Sequence, residues 1–164
     1  MGYAVIRSVI AIATALVLGV PASAQEKPDA KDAGAIEKCV KAKTARNWAW
    51  EACIGTVSEP CVKKHPQEVP SDVMACYARE QAVWDGILNK SFQTLRKALD
   101  EDQQTKLRDM QRAWITSRDK TCGFLYDYFQ GTMANPMIAA CTSRATGMQA
   151  LYLRGFADDV ADRK

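Results

Sequence analysis

One histidine, His65, stands in a chain of 164 residues. A single imidazole beside six cysteines is too little for most metal sites, and it leaves no base for a cysteine or serine nucleophile. An excess of one charge is also missing. The 22 basic side chains meet 19 acidic ones for a formal net charge of +3, which is no electrostatic footprint for nucleic acid. There is no C-x-x-C pair to tune a thiol, no glycine-rich phosphate loop, and no apolar run of the ~20 residues that a spanning helix needs. Glycine (9) and proline (6) are too few for a collagenous or low-complexity chain, and 48% hydrophobic with 25% charged residues is ordinary globular composition. One compact domain without cofactor or metal is expected.

What is present begins with a leader. Arg7, the apolar run Val9 to Val20, Pro21 and the small residues Ala22, Ser23 and Ala24 read as a secretory signal peptide over residues 1–24. A retained N-terminal anchor is the alternative. No cysteine precedes Cys39, which argues against a lipid-anchored route. Cleavage removes one Arg and no acid, leaving a net charge of +2 and a chain expected in the periplasm or secreted, with no stable membrane insertion. In an oxidising compartment six cysteines read as disulfides, with 15 possible pairings. Spacing suggests neighbours: Cys39 with Cys53, Cys61 with Cys76, and Cys122 with Cys141. Each loop contributes roughly 3 kcal/mol.

Residues 25–33 are polar and read as a flexible leader, with order beginning near Gly34. Residues 34–70 form a cysteine-containing N-terminal elaboration, with brief helices around Ile36 and Val40 and around Trp48, Trp50 and Cys53. Gly55 to Ser71 carries Gly55, Pro60, Pro66 and Pro70 and reads as a loop. From 71 to 160 the periodicity is helical. Ser71 and Asp72 supply an N-cap. Val73, Cys76, Tyr77, Val83, Trp84, Ile87, Leu88, Phe92, Leu95 and Leu99 then form a long apolar stripe. After Asp100, Glu101 and Asp102, a second stripe runs through Leu107, Met110, Trp114, Cys122, Leu125 and Phe129, which predicts a helical hairpin turning near residue 101 or 102. Gly131 to Pro136 stops it. A third stripe follows through Ile138, Cys141, Ala145, Met148, Tyr152 and Phe156. The fold class is all-α, a disulfide-stapled bundle of a long hairpin plus a third helix. Gly86, Gly147 and Gly155 inside helices point to close helix approach.

Two charges interrupt the stripes. Glu80 and Arg118 take positions where apolar residues are expected, and the hairpin arithmetic places them opposite each other. An interhelical Glu80 to Arg118 pair is predicted, with Asp85 the alternative partner, because an unpaired buried ion costs several kcal/mol. Glu80 and Asp85, five residues apart, face different sides of one helix and make a poor acid/base pair. No constellation for an enzyme is found.

Met74-Ala75-Cys76-Tyr77-Ala78-Arg79-Glu80 with Trp84, Asp85, Leu88 and Asn89, then Gln111-Arg112-Ala113-Trp114-Ile115 with Arg118, Asp119 and Cys122, then Cys141, Thr142 and Arg144, form a recognisable pattern. Over about residues 61–155 the chain resembles the LprI-like lysozyme-inhibitor family of bacterial envelope proteins. The resemblance implies a secreted, mostly helical, disulfide-bonded domain and inhibition of host lysozyme. The simplest physics for that activity is occlusion of a sugar-binding cleft by a loop held rigid by disulfides. Two loops qualify: residues 55–71, with Lys63, Lys64 and His65, and residues 130–136. A net charge of +2 gives no steering toward a basic lysozyme, although Asp100, Glu101, Asp102, Asp158, Asp159 and Asp162 supply local acid. The competing expectation is an envelope accessory or adhesion-type module that binds another envelope or host protein. Trp48 and Trp50, two residues apart on a short helix, cannot both face one core, which marks one as a candidate contact.

Overall fold

The computed structural model describes residues 28–44, 50–65 and 69–163; residues 1–24, expected to be a signal peptide, and Trp48 lie outside the described residues. Asp29 opens the first helix, its side chain accepting from the Lys31 N–H at 2.7 Å. Helix α1 then runs Ala30–Thr44. Order therefore starts before Gly34, and the residues assigned to the end of a flexible leader are helical. The reason is tertiary. Asp32, which has no partner in its own segment, is buried against Arg79 of the helix α3 (Pro70–Ala98), which donates to it from Nε at 3.1 Å and from Nη2 at 2.9 Å. Ile36 and Val40, one turn apart, are completely buried, each stabilising the fold by roughly 1.5–3 kcal/mol over an exposed side chain.

A 3-10 turn at Trp50–Cys53 is followed by helix α2, Ser58–Val62. The segment from 55 to 71 was expected to be a loop, and Pro60 does not prevent a helix because it falls in the first turn, where no intrahelical N–H is needed. Helix α3 begins at Pro70 itself, with Val69 at the cap position and no side-chain cap, so Ser71 and Asp72 are not its N-cap but its first turn. Proline at the first helical position performs the same task of starting the helix.

The hairpin turns at Leu99 and Asp100, between α3 and α4 (Glu101–Phe129). Asp100 and Gln103 form a reciprocal capping box, so the acidic run that interrupts the apolar stripe is the start signal of the next helix. Helix α5, Ala134–Asp162, completes three helices of 29 residues each. Among the described residues there is no strand, and no helix is long and apolar enough to cross a membrane.

The closest packing is between α3 and α5. Residues of α5 buried along its length are small: Ala134, Ser143, Thr146, Gly147, Ala150 and Ala157 accompany only Leu151 and Leu153. A Cβ on Gly147 would lie 3.1 Å from Ile54 and from the Trp84 indole nitrogen, and one on Gly155 would lie 3.1 Å from the Trp50 ring. Small side chains let the axes approach. This overturns the third apolar stripe: Met148, Tyr152 and Phe156 face outward at 42%, 51% and 48% exposure. Large residues on that face would be needed only against a more distant neighbour.

Three disulfides join Cys39 to Cys53, Cys61 to Cys76 and Cys122 to Cys141. They tie α1 to the 3-10 turn, α2 to α3, and α4 to α5. No described cysteine is free.

Candidate functional site

Glu80 is completely buried on α3. Its Oε1 accepts from the Gly55 N–H at 2.6 Å and the Trp84 indole N–H at 3.0 Å; its Oε2 accepts from the N–H groups of Val57 at 2.9 Å and Ser58 at 2.7 Å. Gly55 makes this geometry possible with φ +104°, a conformation that L side chains rarely adopt, so the backbone turns its donors inward. Burial pushes the Glu80 carboxyl up, but the hydrogen bonds from Gly55, Ser58 and Trp84 outweigh it and hold the group below the usual carboxylate range. All its accepting directions are engaged. No acid/base chemistry is left for it.

The expected Glu80 to Arg118 pair is therefore absent. The arithmetic of the hairpin places the two residues at similar heights, yet Glu80 is directed at the 55–58 turn. Arg118 instead lies with its guanidinium 4.9 Å from the Trp114 ring centroid and pairs with Asp119 at 2.8 Å. Its charge also reaches Asp85, the alternative partner, whose carboxyl is pushed up by burial and drawn partly back by Arg118. Gln111 is buried at the α4 and α5 contact, where it accepts from the Gln149 amide at 2.5 Å. Arg112 points to solvent and lies 3.9 Å from Asp109.

A second tie fixes α1. Arg154 of α5 donates to Glu37 from Nη1 at 2.7 Å and from Nη2 at 3.0 Å. The Arg154 hydrogen bond holds the Glu37 carboxyl below its usual range, against a smaller opposing effect of burial. Among the described residues, no buried side-chain nitrogen or oxygen lacks a hydrogen-bond partner.

The two candidate contact loops differ. Residues 55–65 are folded onto α3, with their N–H groups turned toward Glu80 and Cys61 stapled to Cys76. Lys63 and Lys64 are exposed, while His65 is half-buried and sets its Nδ1 3.4 Å from Asp72. Cys61, His65 and Cys76 bring their donor atoms within 4.8 Å of one another, but the two sulfurs are bonded together and offer no thiolate to a metal. Trp50 is half-buried, packs against Gly155 and belongs to the core margin.

Residues 130–136 form the opposite case. Gln130 (φ +51°) and Gly131 (φ +94°) reverse the chain between α4 and α5. The Ala134 and Asn135 N–H groups then bond back to Gly131 and Thr132, each at 3.2 Å. Around this turn Phe124, Tyr126, Tyr128, Phe129 and Met133 stand in solvent, at 45% to 68% exposure. Tyr128 packs edge-on to Phe129 with centroids 4.8 Å apart. The Cys122–Cys141 disulfide, buried at Cys122 and half-buried at Cys141, joins α4 to α5 beneath this tip.

A comparison with known protein families matches residues 61–153 to the family described as Lysozyme inhibitor LprI. That is more than half of the chain. The chain belongs to this LprI family. No curated protein and no solved structure matches it.

The LprI segment contains α3, α4 and α5 as far as Leu153 and begins at Cys61, so the three backbone donors of Glu80 come from residues that precede it. The elaboration therefore completes the core. The exposed tip lies wholly inside the LprI segment. Sequence reasoning placed Phe129 in an apolar core stripe and passed over Phe124, Tyr126 and Tyr128. The signal was available: four aromatics within six residues, at offsets of two, four and five, point around a helix and cannot all face one core.

Proposed function

We propose that this LprI protein is an exported, non-enzymatic inhibitor of lysozyme that acts by occluding the enzyme's sugar-binding cleft. Membership of the family over the disulfide-stapled three-helix core is the observation that carries the reading. Three disulfides fit an oxidising, extracytoplasmic location. The folded scaffold suits occlusion because a surface ordered in advance loses little conformational freedom on binding. Of the two candidate loops, residues 130–136 favour contact, since residues 55–58 direct their backbone donors into the fold.

Clearance of a peptidoglycan suspension by a c-type and by a g-type lysozyme, titrated with the oxidised protein, tests this. Dose-dependent protection that disappears after reduction and alkylation is expected. Absence of protection at micromolar protein against both enzymes would overturn the inhibitor reading in favour of an envelope binding module.

A further inference from the structure

From Thr121 to Ser143 the chain has no lysine or arginine, and Asp127 is its one carboxylate, in a protein whose composition is 25% charged. Within that interval four large apolar side chains stand out at the same end of the molecule: Phe124 at 61%, Tyr128 at 68%, Phe129 at 45% and Met133 at 64% exposure. Scattered single apolar residues on a surface need no explanation, whereas a cluster on a stretch with a single charge marks a contact surface. Tyrosine is favoured at binding hot spots, and phenylalanine and methionine are enriched at interfaces, because aromatic rings cover a large area with few rotatable bonds. The rings already pack on each other, Phe124 with Tyr128 at 6.1 Å and Tyr128 with Phe129 at 4.8 Å, so their arrangement is ordered before any partner arrives.

We infer that the aromatic tip, centred on Tyr128, Phe129 and Met133 with Asp127 beside them, is the surface that enters the cleft of a basic lysozyme. The inference rests on the inhibitor reading above and names the contact. Its argument is electrostatic complementarity at two ranges. A glycosidase cleft carries a pair of carboxyl groups at its centre, and a tip packed with acids would be repelled there. Rings and a tyrosine hydroxyl present an uncharged amphipathic surface of the kind the cleft accepts from sugar. At the rim of a basic enzyme, the lone Asp127 contributes attraction that the whole domain, with its slight positive charge, does not. The neighbouring arginine Arg118 is already paired with Asp119, which limits opposing positive charge. The Met148, Tyr152 and Phe156 face of α5 is also exposed, but Arg154, Asp158 and Asp159 stand beside it, so it carries more charge than the tip with its lone Asp127.

The test compares the oxidised full chain with Tyr128→Ser/Phe129→Ser, with Asp127→Lys, and with Tyr152→Ser/Phe156→Ser as an equally apolar control away from the tip. Read by peptidoglycan clearance with a c-type lysozyme, the tip double variant should need at least about 10-fold more protein for half-inhibition, since hot-spot truncations of this size cost at least about a factor of ten. Asp127→Lys should raise the half-inhibitory concentration several-fold at low salt and less at high salt. The α5 control should match the parent. Should the double variant melt early, Met133→Ser and Asp127→Lys carry the comparison.

Tip variants that inhibit like the parent would overturn the tip assignment and leave the inhibitor reading standing. A parent protein that neither inhibits nor binds immobilised lysozyme would overturn both. Co-sedimentation of the parent with peptidoglycan without enzyme, lost in the tip variants, would assign the tip to glycan and overturn the protein partner. Concentration-dependent dimerisation abolished by the tip variants would assign it to a second copy of the chain, with the same consequence.

Discussion

Around Glu80, one carboxylate faces inward and binds three backbone N–H groups and an indole, whereas at the end of α4, four large rings face outward, three of them packed edge to edge or tilted on one another. Both regions break the simple rule of charge outside and apolar inside. The clasp is complete within the molecule, so its cost of burial is offset by hydrogen bonds, and its consequence is register between the elaboration and α3. The tip is incomplete, so its exposed area has value only to something outside. The Glu80 carboxylate, engaged internally, serves the fold, and the exposed rings are the surface on which the proposed contact rests.

Four measurements break or sharpen that contrast, beginning with the largest effect. Glu80→Ala strands its donors in a fully buried site, and equilibrium urea denaturation should show a loss of about 3–5 kcal/mol. A loss below about 1 kcal/mol would mean that the clasp does not organise the fold. Removing the staple below the tip by Cys122→Ser/Cys141→Ser should cost about 3 kcal/mol in the same assay. It should also weaken inhibition beyond what stability explains, because the rings lose their rigid base.

The pH dependence is next. Glu80 and Glu37 are held below the usual carboxylate range, so their stabilisation is fully present above about pH 5, and it is lost as pH falls through their folded values. Asp85 works the other way. Its raised value costs stability at neutral pH, and that cost fades on acidification. Thermal midpoints from pH 7 down to pH 3 should therefore fall for the parent, and the fall should be shallower in Glu80→Gln. An identical slope in both would remove Glu80 as the acid-sensitive group. Smallest of all, Tyr128→Ser should change stability by no more than about 0.5 kcal/mol, because its ring is mostly in water. A larger loss would show that the tip holds the fold.

Much of this architecture is legible in the residues. The stripes through Val73 to Leu99 and Leu107 to Leu125 announce two helices because a 3.6-residue period puts those positions on one face. Adjacent cysteines announced the three pairings because short loops close easily. The LprI pattern at Gln111, Trp114, Arg118 and Cys122 is equally visible. The misreadings at Pro60 and Pro70 are local, since a proline in the first turn starts a helix rather than ending it. Asp32, Glu80 and the outward face of Met148, Tyr152 and Phe156 were misread because each depends on a neighbour distant in sequence.

The sequence by itself determined the three long helices, their order, the staples and the family, since all of these follow from local periodicity, short-range spacing and residue pattern. Which way Glu80 turns, which face of α5 is inside, and that the aromatic run of α4 stands free were decided only by tertiary structure. The small residues of α5 draw it close to α3. Met148, Tyr152 and Phe156 are left on the outside, and the Glu80 carboxylate turns to the backbone donors of Gly55, Val57 and Ser58.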